Sequence, residues 1–123
     1  MRIGDLDTEL RSWLDTLRFY REEIMVFEHR LEEIAARPHP QDAMAQVEHF
    51  QNQFIREREV LDELRHDLKQ HENRLEAEPH DGPVGHDHPC STGHATLRER
   101  MLTYEKLYKE LKEEFVQWLS AQA

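Results

Sequence analysis

The sequence predicts an all-α protein, an elongated antiparallel three-helix bundle with coiled-coil-like heptads. Three observations carry this. Two long stretches hold apolar side chains at alternating spacings of three and four residues, and a third resumes the pattern near the end of the chain. Proline and glycine are confined almost entirely to the stretches between them. Apolar residues make up 37% of the 123-residue chain and charged residues 34%, a balance suited to a thin bundle with much surface per unit of core.

The first helix is expected over residues 5–36. Ile3, Leu6, Leu10, Trp13, Leu17, Tyr20, Ile24, Phe27, Leu31 and Ile34 fall on one side of it. Asp5 or Asp7 can cap its start, where acidic groups complement the helix dipole. Arg37-Pro38-His39-Pro40 stops it, because a residue preceding proline is pushed out of the α region. Pro40 then suits the first turn of a second helix, where its missing N–H is no loss.

The second helix, expected over 40–77, is the backbone of the bundle. Ala43, Val47, Phe50, Phe54, Glu57, Leu61, Leu64, Leu68, His71 and Leu75 keep the alternation without a slip. The average period of about 3.5 favours left-handed supercoiling. At ~1.5 Å per residue such a helix is roughly 55 Å long, so the bundle must be elongated. The short link to the first helix makes the two an antiparallel hairpin. Facing Ile34 against Ala43 pairs Leu31 with Val47, Phe27 with Phe50, Ile24 with Phe54 and Leu17 with Leu61. Two polar residues, Glu57 and His71, interrupt the seam. Both are read as structural, and the register puts the Tyr20 hydroxyl within reach of Glu57.

Residues 78–93 are expected to be a histidine-rich loop, since three prolines and three glycines fall between Pro79 and Gly93. The third helix, expected over 94–121 with Ser91 or Thr92 as cap, carries Leu97, Met101, Tyr104, Tyr108, Leu111, Phe115 and Trp118 in its stripe. The whole chain, 1–123, reads as a single domain.

The loop holds the most suggestive chemistry. His86, His88, Cys90 and His94 place three imidazoles and a thiol within nine residues, with His80 as a further donor. Nitrogen and sulfur ligands suit Zn²⁺, Ni²⁺ and Cu²⁺, and Asp81 and Asp87 could orient the imidazoles. A divalent transition metal such as zinc is therefore the one cofactor the sequence suggests. The competing reading is a polar, histidine-biased linker. Glu63 and His66 have a spacing found in di-iron bundles but fall on the solvent side of the heptad, and no second such pair occurs. With no phosphate-binding glycine loop and no nucleophile with a base at a diagnostic spacing, no enzyme is expected.

The net charge of −10 and the lack of a clustered basic face set nucleic acid and anionic membrane aside as partners. No apolar run resembles a signal peptide or reaches the ~18 residues of a membrane span, and Cys90 is the only cysteine. A cytoplasmic location is expected. Phe19 and Val26 lie seven apart on the outer flank of the first helix. Such a stripe points to a protein partner, with a homodimer favoured. The sequence thus suggests a non-enzymatic, self-associating interaction or scaffold protein, with metal binding through residues 80–94 as the alternative.

Overall fold

A computed structural model describes residues 1–38 and 41–122, apart from the side chains of Gln41 and Asp42. The expected proline junction at His39-Pro40 lies outside the described residues. Three α-helices form the bundle: α1 (Ile3–Ala35), α2 (Gln41–Glu76) and α3 (Pro89–Ser120).

The side-chain contacts define the topology. Arg21 pairs with Asp62 and Glu28 with Arg58, so α1 and α2 are antiparallel. Asp67 pairs with Arg100 and His49 with Glu114, so α2 and α3 are antiparallel as well. Helices α1 and α3 therefore run in the same direction. Their polar contacts, Glu9 to His94 and Arg98 and Glu23 to Tyr108 and Lys112, link residues 85 to 89 apart.

The heptad stripes form the core. Leu10, Leu17, Ile24, Leu31, Val47, Phe54, Leu61, Leu68, Tyr108 and Phe115 have no measurable exposure. Trp13, expected in the core, is only partly buried. At the end of the bundle near the α1–α2 junction the core is aromatic. Phe27 lies 5.6 Å from Phe54 and 5.1 Å from Phe115, while Phe50 packs on Phe115 and Trp118. The facing scheme had paired Phe27 with Phe50. It was drawn for a two-helix hairpin, whereas Phe115 of α3 enters this layer and the rings settle around it.

The middle of the core differs from expectation in a similar way. Tyr20 packs on Tyr108, with ring centroids 4.5 Å apart. The hydroxyl that reaches Glu57 belongs to Tyr104 of α3, and it donates to the Glu57 backbone carbonyl at 3.3 Å. The Tyr108 hydroxyl donates to Glu23 at 2.7 Å, which Lys112 also contacts. Burial raises the pKa of Glu57 above the usual carboxylate value, with Arg56 opposing.

At the opposite end the segment after α2 folds back over the start of α1. The N–H groups of Ile3 and Gly4 donate to the carbonyls of Gly82 and His80, and Val84 N–H donates to Met1. Arg2 forms an isolated antiparallel bridge with Pro83 and donates to the Asp81 carbonyl. Two of the N–H groups left open at a helix start are thus satisfied by backbone rather than by a capping side chain. Asp5 accepts from the Arg2 backbone N–H at 2.9 Å, which starts the helix two residues before the expected position.

Candidate functional site

Helix α3 begins at Pro89, not at residue 94, and this changes the histidine loop most. Pro89 takes a first-turn position, where its fixed φ suits the helix. His88 caps it, with Nδ1 accepting the Cys90 N–H at 3.0 Å. Gly93 lies inside the helix. Its propensity cost of about 1 kcal/mol is outweighed by burial of Cys90, His94 and Leu97.

The five residues read as metal ligands are therefore not gathered around one point. His86 is exposed in the loop. His80 is also exposed, its ring lying over Gly4, where a Cβ would meet Nε2 at 2.6 Å. His88 is occupied as a cap, its Nε2 facing Glu78 at 3.8 Å. Cys90 is buried in α3, and burial followed by the charge of Glu78 raises its thiol pKa. His94 faces the interior with 1% exposure. Among the described residues no three His, Cys, Asp or Glu side chains stand together as a metal site. The sequence reading places Cys90 on a flexible loop and His94 at its junction with the third helix, and the helix from Pro89 turns both into the bundle.

His94 meets His71, the polar seam residue of α2, which is fully buried. His71 Nε2 and His94 Nδ1 lie 3.0 Å apart. His94 Nε2 lies 2.6 Å from Oε1 of Glu9 on α1, and Arg98 also contacts that carboxylate. On the other side Arg74 Nη2 lies 3.4 Å from His71 Nδ1. Trp13 stacks on the His94 ring with centroids 4.6 Å apart.

The chemistry of the end groups fixes the direction of the chain. An arginine can only donate, so His71 Nδ1 accepts. Neutral His71 then carries its proton on Nε2 and donates to His94 Nδ1. His94 carries its proton on Nε2 and donates to Glu9. Arg74, His71, His94 and Glu9 thus form one directed sequence through all three helices, terminated by an anion that Arg98 also neutralises. A proton added to His94 Nδ1 would oppose N–H to N–H across the 3.0 Å contact, and one added to His71 Nδ1 would face the Arg74 donor.

The electrostatics agree with two neutral rings. His71 is lowered from 6.5 to about 4, chiefly by burial, then by His94 and Arg74. His94 is lowered by burial, which its hydrogen bond to Glu9 only partly offsets. Burial tends to raise the Glu9 pKa, but its bonds to Arg98 and His94 lower it overall.

No known protein family matches the chain, and neither a curated protein nor a solved structure does. The chemical reading therefore rests on geometry. Among the described residues no buried side-chain nitrogen or oxygen lacks a hydrogen-bond partner. The ring nitrogens of His71 and His94 are all engaged within the chain, which suits a lock between helices better than a reaction centre. Sequence reading singled out His71 as a seam residue and His94 as a loop donor. The signal that could have joined them is the spacing of His94 and Leu97, which extends the third stripe backwards by one step.

The outer surface matches the sequence reading more directly. Phe19 is 55% exposed and Val26 64%, and neighbouring Met25 is exposed as well. Met25 and Val26 border a shallow depression with His29, Arg30 and Glu33. Glu63 and His66 point to solvent. No helix among the described residues is long and apolar enough to cross a membrane.

Proposed function

We propose that the protein is a non-enzymatic helical scaffold that self-associates through the outer face of α1. The supporting observation is the exposure of Phe19 and Val26, seven residues apart on that face, with Met25 exposed beside Val26. Burying one such side chain against a partner contributes roughly 1.5–3 kcal/mol. A second copy suits the surface because His29, Arg30 and Glu33 beside it bring both signs of charge. A two-fold axis can set such a patch against itself with opposite charges meeting. The internal relay supports the same reading, since it binds the helices to one another and leaves the outer faces for recognition.

Sedimentation equilibrium tests this. The wild-type protein is expected at twice the chain mass. The double variant Phe19→Lys/Val26→Glu is expected at the chain mass with unchanged helical circular dichroism. A wild-type protein that stays monomeric at high concentration refutes the proposal, as does a double variant that remains dimeric.

A further inference from the structure

The chain carries a net charge of −10, yet five of its sixteen lysines and arginines line one groove between α1 and α2. Arg11, Arg18 and Arg21 with Asp15 form one wall, and Arg65 and Lys69 with Glu72 the other, around a cavity of about 450 Å³ in which the cations outnumber the carboxylates five to two. A second depression continues past Arg21, Arg65 and Lys69 to His66. This clustering corrects the sequence reading of a chain without a basic face. The residues are far apart in the sequence, and only the antiparallel hairpin brings them together.

Four of these cations have acidic neighbours, of which Asp15 and Asp62 are exposed and Asp7 and Glu72 partly buried. Arg11 contacts Asp7 at 3.0 Å, Arg18 contacts Asp15 at 3.2 Å and Lys69 contacts Glu72 at 3.5 Å, while Arg21 pairs with Asp62. The Arg18–Asp15 and Arg21–Asp62 pairs, exposed on both sides, contribute at most about 1 kcal/mol and yield to a better anion. Arg65 forms no ion pair among the described residues and borders both depressions. Leu14 and Leu17 lie at the floor, so an anion seated there is partly withdrawn from water.

We infer that this groove binds a compact oligophosphate, a ligand with three or more linked phosphoryl groups. Guanidinium forks match phosphate oxygens in pairs, and here they come from two facing helices. Arg11 to Arg21 spans about 15 Å of helix, a length such a ligand can follow. Size decides against nucleic acid. Charges farther than ~8 Å are largely screened at physiological salt, so a short ligand senses mainly the groove. A duplex extends beyond it over a surface that is acidic on balance. This site is separate from the α1 face proposed for self-association.

Calorimetric titration with inorganic tripolyphosphate at low salt tests the inference. One saturable site per chain is expected. Arg18→Gln/Arg65→Gln is expected to weaken it at least tenfold, and Arg18→Lys/Arg65→Lys to weaken it less. The control Lys106→Gln/Lys109→Gln removes equal charge from exposed positions on α3 and is expected to leave binding nearly unchanged. All substituted residues are exposed, so helicity should be retained. The inference is overturned by absence of saturable binding, by equal losses in the groove and control variants, or by a DNA duplex binding as tightly. Unchanged affinity in the lysine variant overturns recognition by the guanidinium forks.

Discussion

His71 and His94 set the behaviour of the protein at the scale of single residues. Folded His71 has its pKa depressed to about 4 from 6.5, so between these values the unfolded chain binds a proton that the folded chain refuses. Stability therefore falls as pH drops through this window, by an amount on the order of 3 kcal/mol if His71 acts alone. Glu9, whose folded pKa is lowered, adds a loss of the same sign at the acid end, as it gives up its ionised state. Denaturant titrations across this range are expected to show the decline. His71→Gln keeps a donor toward His94 but does not titrate, so its profile should be shallower. A wild-type profile that is flat from neutral to mildly acid pH would remove the case for two neutral rings.

The helices depend on the heptad stripe, and α2 shows this most clearly. Leu61 has no exposure, while its neighbour Asp62 lies at the surface in a pair with Arg21. Truncation of Leu61 to Ala removes packing at mid-helix and should cost ~2–5 kcal/mol, depending on how far the cavity collapses. Chemical denaturation gives the number. A cost near that of an exposed helix position would mean that the stripe is not the core. The helix starts follow a different logic. Helix α1 begins where backbone carbonyls of the 80–82 segment meet its first N–H groups, and α3 begins where Pro89 and the His88 ring coincide.

The bundle as a whole has two unlike ends. One is closed by Phe27, Phe50, Phe54, Phe115 and Trp118, and the other by the relay from Arg74 to Glu9. Aromatic packing does not titrate, but the relay does. Amide exchange at about pH 5 is expected to lose protection first around His71 and His94, while amides near Phe54 and Phe115 stay protected. Uniform loss along the bundle would instead point to a single cooperative transition without a weak end.

The sequence by itself determined the three-helix architecture, its hairpin order, and most of its core, because a regular apolar stripe must be buried wherever it occurs. It also located the exposed Phe19 and Val26, since a helix places residues seven apart on one face. Tertiary structure decided the rest. Which rings meet across the core depends on all three helices at once, so pairing two of them misplaced Phe27 and gave the Glu57 contact to the wrong tyrosine. His71 and His94 are 23 residues apart and became one site only when α3 extended back to Pro89. The cations of the α1/α2 groove look scattered along the chain for the same reason. A stripe is a local property, legible from spacing, whereas a site joins residues whose meeting depends on register and helix ends.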